Sequence, residues 1–110
     1  EVSGPIVFQC SGCRTIIGDS LSFISAFEEF DSIVLSDAVN VEEHKLETDI
    51  SGCSFRPIKC FHCSQDLGKK YSKLNSNKHK MIIGQFALRR STMISYELGS
   101  GQRGGGGGGD

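Results

Sequence analysis

A mostly β fold, two antiparallel sheets meeting at one point, is what this sequence predicts, and three observations carry the prediction. Short runs rich in β-branched and aromatic residues recur along the chain, bounded by Gly, Asn, Asp and Ser, with little helical periodicity. Two eleven-residue segments, 8–18 and 58–68, share one pattern: apolar-x-Cys-x-x-Cys-x-x-x-[Ile/Leu]-Gly. Between the cysteine pairs lie 46 residues, Arg14 through Lys59. A simple zinc ribbon separates its pairs by only about 15–20 residues. A gap of this length holds a whole sheet, so a site built from both pairs joins two sheets rather than pinning one hairpin.

The chemistry of the pairs is specific. Two residues between cysteines let a tight turn aim both sulfurs at one point, as each half of a tetrahedral zinc shell requires. Cys10, Cys13, Cys60 and Cys63 are therefore the candidate ligands of one structural Zn²⁺. The sequence shows no signal-peptide pattern, no Asn-x-Ser/Thr acceptor and no apolar run of membrane-spanning length. Paired Cys-x-x-Cys in that setting favours zinc in a reducing compartment, nuclear or cytosolic, over disulfides or a redox dithiol. Four thiolates leave no open coordination position, so no water is activated and no catalytic residue is expected. A His-x-Glu with a downstream Pro-Cys-x-x-Cys, the mark of zinc nucleobase deaminases, is absent.

The totals fit a metal-dependent domain. With 110 residues, 11.9 kDa and 37% hydrophobic content, the chain makes one domain with a modest core. Zinc contributes roughly 10–16 kcal/mol of apparent free energy in small zinc peptides, so metal loss is expected to unfold it. Residues 1–98 are read as the zinc domain. Residues 99–110, with six consecutive glycines, are read as a flexible tail or linker.

Net charge is −1, but its distribution is uneven. Residues 1–55 hold ten acidic and two basic residues, and residues 56–110 hold ten basic and three acidic ones. The halves either fold together and neutralise each other or present opposed faces for association.

Taken in order, residues 5–9 form a strand into the first knuckle and residues 14–17 a strand out of it, with Gly18-Asp19-Ser20 as a turn. In residues 21–30, Leu21, Ile24 and Phe27 fit a helical face while Leu21 and Phe23 fit strand alternation, so both readings stand. Residues 32–41 are β-rich, with Asn40 suited to a turn. Residues 41–50 hold a loop or an edge strand, and Gly52 a turn. Residues 53–58 enter the second knuckle, Pro57 confining that strand to an edge or a bulge. Residues 64–67 leave it and Gly68 ends the strand. Residues 80–88 and 91–98 read as two strands around a turn at Arg89-Arg90, Gly84 marking a bulge or a close backbone approach.

Other residues receive plainer readings. His62 lies between Cys60 and Cys63 and points away from the metal; His44 and His79 are solvated surface histidines. Cys53, with no base or resolving partner beside it, is a buried structural thiol. The lysines at 69, 70, 73, 78 and 80 are a candidate for phosphate contact, though a charge run is more often a solvated face. Phe23, Phe27, Phe30, Phe55, Tyr71, Phe86 and Tyr96 are assigned to the core, and with no Trp an aromatic cage for a cation is disfavoured.

Cys10-Ser11-Gly12-Cys13-Arg14, then Gly18-Asp19-Ser20-Leu21-Ser22-Phe23, then Cys60 and Cys63 with Leu67-Gly68, resemble the Yippee-like zinc domain of the Mis-eighteen centromere-licensing proteins. The likeness runs from about Val7 to Leu98, and Tyr96-Glu97-Leu98-Gly99 resembles the family's domain end. It implies a Yippee-like, or β-tent, fold similar to the cereblon ligand-binding domain and to methionine sulfoxide reductase B, in which one Cys₄ zinc pinches two antiparallel sheets. It implies a scaffold and not an enzyme: a homodimer through this domain, working with other centromere-licensing subunits and a histone chaperone in the nucleus, at centromeres. Cys10, Cys13, Cys60 and Cys63 carry over as the zinc ligands. No cysteine follows Cys63, so the reductase family's late catalytic cysteine is missing. A nucleic-acid-binding zinc module is the first alternative function and a methionine sulfoxide reductase-like enzyme the second; no membrane association is expected.

Overall fold

A computed structural model describes residues 5–75 and 79–97. The domain boundary expected after residue 98 and the glycine-rich tail lie outside the described residues. The strands are β1 (Ile6–Cys10), β2 (Ile16–Asp19), β3 (Phe23–Phe27), β4 (Ser32–Leu35), β5 (Val41–Glu43), β6 (Glu47–Thr48), β7 (Ser54–Cys60), β8 (Asp66–Lys73), β9 (Phe86–Arg89) and β10 (Met93–Glu97). The fold is mostly β, with short 3₁₀ turns and no α-helix among the described residues.

Two antiparallel sheets form, as expected. The smaller has the order β10-β1-β2; the larger runs β3-β4-β9-β8-β7-β5, with β6 also paired to β7. The chain changes sheets twice through single 3₁₀ turns, Ser20–Ser22 between β2 and β3, and Arg90–Thr92 between β9 and β10. Asp19 starts the first by accepting the Leu21 N–H at 3.0 Å, while the Ser20 hydroxyl accepts from Ile6 N of β1 at 2.9 Å. The Arg89-Arg90 turn is therefore a crossover and not a hairpin: β9 pairs with β4 and β8, β10 with β1.

The core is made where alternate residues of both sheets face each other. Ile17 of the small sheet meets Ile33, Leu35, Ile58, Leu67, Phe86 and Leu88 of the large one, and Cys10 and Cys60 belong to the same cluster. One cysteine of each pair is thus anchored in the buried core. Beside this core, Ile6, Phe8, Phe23, Ile33 and Met93 line a cleft of about 870 Å³ between the sheets.

Several expectations shift. Gly18 and Asp19 extend β2 rather than turning; a Cβ on Gly18 would stand 2.9 Å from Leu35 Cδ1, so the glycine allows the sheets to close. Residues 23–27 are strand, not helix, because their backbone pairs with β4. Gly68 lies inside β8 instead of ending it; a Cβ there would sit 2.2 Å from the Ala87 carbonyl oxygen, so the residue permits the approach of β9. Gly84 has φ +82° with open space around its missing side chain, a turn rather than a close approach.

Pro57 is not on an edge, since β7 pairs on both sides. Its carbonyl accepts from His44 N at 2.8 Å, just past the end of β5. A strand residue turns its N–H and C=O to the same side. The proline nitrogen therefore faces the break between β5 and β6, where no ladder bond is lost. A register shift between Ile58 and Lys59 follows it, the bulge anticipated near this position.

Of the aromatic residues assigned to the core, Phe55 and Phe86 are buried, whereas Phe23, Phe30 and Tyr96 are exposed. Phe27 and Tyr71 are half-buried. Exposed aromatics arise here because two small sheets have more faces than one core can cover.

Candidate metal centre

Each cysteine pair caps a hairpin, β1 into β2 and β7 into β8, and the two caps have the same construction. Cys10 N donates to the Thr15 carbonyl at 2.8 Å, and Arg14 N to the Cys10 carbonyl at 2.8 Å. In the second cap Cys60 N donates to the Gln65 carbonyl and Ser64 N to the Cys60 carbonyl, both at 2.9 Å. The residue after each second cysteine turns left-handed, Arg14 at φ 67° and Ser64 at φ 64°. The shared eleven-residue pattern is thus one backbone device used twice. Since Arg14 is spent on that reversal, β2 begins at Ile16 rather than at residue 14.

The two caps converge. Cys10 Sγ lies 3.5 Å from Cys63 Sγ and Cys13 Sγ 3.6 Å from Cys60 Sγ, and all four sulfurs fall within 4.8 Å of one another. A tetrahedron of metal–sulfur bonds near 2.3 Å has sulfur–sulfur edges of about 3.8 Å. The donor set therefore fits zinc in number, softness and span. Cys10 and Cys60 are buried; Cys13 and Cys63 lie on the solvent side.

Electrostatics mark the cluster as one unit. The hydroxyl and backbone N–H of Thr15 lower the Cys13 thiol to about 6. At Cys63 the Gln65 N–H favours the thiolate, but desolvation and the Cys10, Cys13 and Cys60 sulfurs outweigh it and push the thiol up to about 12. Thiolates so close repel, and a dication among them removes that repulsion.

Asn40 ties the caps together and was read from the sequence only as a turn residue. At φ 58° its carbonyl accepts from Phe61 N of the second cap at 2.9 Å, while Nδ2 donates to the Ile16 carbonyl beyond the first at 2.9 Å. Asparagine's tolerance of the left-handed region marks the turn in the sequence but not the two partners it reaches.

Other candidates fall outside the centre. His62 is exposed, with its ring edge-on to Phe61 at 5.4 Å between centroids. His44 is on the surface, 3.4 Å from Glu42. His79 is not a solvated histidine: it is half-buried, packed edge-on against Phe27 and Phe30. Cys53 is half-buried rather than fully buried, 3.5 Å from the Ser51 hydroxyl.

Two sheets joined at a convergent four-thiol centre define a class of small metal-clasped β scaffold. A family model described as Yippee zinc-binding/DNA-binding/Mis18, centromere assembly, matches residues 6–106, and the chain belongs to that family. Protein Mis18-alpha of Homo sapiens is 37% identical over 106 residues, covering 90% of this chain and 45% of its own. Kinetochore protein mis18 of Schizosaccharomyces pombe is 36% identical over 104 residues, covering 89% of this chain and 52% of its own. The chain thus spans about half the length of the curated relatives it matches. A crystal structure of a Mis18 Yippee-like domain superposes with a TM-score of 0.79 at 29% identity, covering 86% of this chain and 98% of that one. The relatives are named for Mis18 and the kinetochore and not for a reaction.

Proposed function

We propose that Cys10, Cys13, Cys60 and Cys63 hold one structural zinc ion, and that the domain is the self-association and partner-binding module of a centromere-licensing scaffold. The observation that carries this reading is the family match across residues 6–106, in a family described as zinc-binding, together with four thiols whose sulfurs lie within 4.8 Å of one another. Bound zinc supplies no chemistry to a substrate here, because four thiolates close its shell. What the cysteines do is fix the angle between two sheets and so present a constant surface.

The scaffold acts in the nucleus, at centromeres, as a homodimer through this domain. With further licensing subunits and a histone chaperone it helps direct deposition of the centromere-specific histone. Sedimentation equilibrium of the zinc-loaded domain at micromolar concentration tests the first step, with a dimer expected; a clean monomer across that range contradicts self-association. Cross-linking to the purified histone chaperone tests the second.

Direct nucleic-acid binding is the second reading, favoured by the family's description and by the lysines of β8. The geometry weakens it. Lys70 Nζ is 3.1 Å from Glu43 and 4.8 Å from the Phe86 ring centroid, and Lys69 Nζ is 4.3 Å from that of Phe55. These cations are engaged within the sheet. Duplex binding at low salt that weakens steeply as salt rises would revive this reading.

A further inference from the structure

Gln65 departs from the symmetry of the two caps. In each cap the residue two places after the second cysteine gives that sulfur its backbone N–H, Thr15 to Cys13 and Gln65 to Cys63. The side chains then differ. The Thr15 hydroxyl stays within its own cap, 3.0 Å from Cys13 Sγ. The Gln65 carboxamide crosses into the other: Oε1 lies 3.4 Å from Cys10 Sγ, and Nε2 lies 3.3 Å from Ser11 Oγ. Gly12 makes the room. A Cβ at that position would stand 2.6 Å from Gln65 Oε1 and 3.3 Å from Cys63 Sγ.

We propose that Gln65 is the positioning residue of the centre, its carboxamide donating from the second cap to the Cys10 sulfur of the first. The inference rests on the zinc assignment above. A metal-bound thiolate has no proton and only accepts. The carboxamide NH₂ therefore belongs at the Cys10 sulfur and its oxygen at Ser11, whose hydroxyl donates to it; the two end atoms of a carboxamide take these places within one heavy-atom frame. The result is an N–H···S bond from the second cap to a ligand of the first. It withdraws charge from an electron-rich tetrathiolate and braces the sheets through the shell around the metal. Glutamate cannot play this part, since a carboxylate donates nothing and repels the thiolate.

The test compares the native domain with Gln65→Ala, Gln65→Glu and Gly12→Ala, each confirmed folded with zinc by its amide spectrum. Zinc transfer to a metallochromic chelator gives the release rate. Roughly 10–100-fold faster release is expected for Gln65→Ala, within the usual range for outer-shell changes, and faster still for Gln65→Glu. Gly12→Ala displaces the carboxamide, so it accelerates release in the native background and adds little to Gln65→Ala. In ¹¹³Cd-loaded protein, a side-chain amide proton of Gln65 shows scalar coupling to cadmium, a signature that a merely structural glutamine lacks. Native release rates in zinc-loaded Gln65→Ala, or absence of that coupling, overturn the proposal. A native domain that binds no zinc overturns the assignment beneath it as well.

Discussion

At the scale of single residues, a side chain matters here according to what stands opposite it. Gly68 shows this most plainly, because the obstacle to a larger residue is the Ala87–Leu88 backbone of β9 and not a movable side chain. Gly68→Ala is expected to lower stability by about 1–3 kcal/mol or more, as overpacking does, with denaturant titration as the measure; an unchanged midpoint would contradict the packing described. Leu88→Ala, in the fully buried core beside it, is expected to cost about 2–5 kcal/mol through the cavity it leaves. The four cysteines were legible in the sequence because ligand spacing is a local code. Gln65 and Asn40 were not, because their contacts join residues 55 and 24 positions apart. No local pattern announces a partner that far away.

The elements are legible where β-branched and aromatic residues cluster and less so where glycine carries the signal. β1, β4 and β7 form on such runs. In sequence Gly18 and Gly68 read as punctuation, yet both lie within strands, where the absent side chain lets another chain segment close in. Composition cannot separate these roles, since glycine suits a turn and a close approach equally. The β6–β7 hairpin supplies a pH prediction. The Asp49 carboxylate accepts from the Ser51 hydroxyl at 2.6 Å, Ser51 N at 2.9 Å and Cys53 N at 3.1 Å. Chiefly through the Ser51 hydroxyl, its pKa is lowered from 3.8. The unfolded chain takes up the proton first, so the turn's contribution is fully present above 3.8 and is lost as pH falls through the lowered value. The Ser51 and Cys53 amide shifts should titrate with a midpoint below 3.8; a midpoint at or above it contradicts this turn.

For the whole molecule, the uneven charge of the two halves resolves at least partly within the fold. Glu43 of the acidic half pairs with Lys70 of the basic half at 3.1 Å, since β5 and β8 flank the same strand. The two-sheet architecture followed from the 46-residue gap between cysteine pairs. The sheet-changing turns did not, because a 3₁₀ crossover and a hairpin turn look alike in sequence. Four thiols from caps on both sheets converge at one point, so a metal bound there is expected to contribute to the fold's stability. Chelation is expected to abolish the cooperative thermal transition, and Cys60→Ser to do the same without chelator.

The claim that everything else leans on is that one zinc, bound by four cysteine sulfurs, clasps the sheets. Zinc-edge X-ray absorption on the purified domain, with metal content measured on the same sample, tests it most directly. The proposal predicts one zinc per chain with four sulfur neighbours at about 2.3 Å and no nitrogen or oxygen in the inner shell. A mixed shell, or a folded chain without metal, would contradict it.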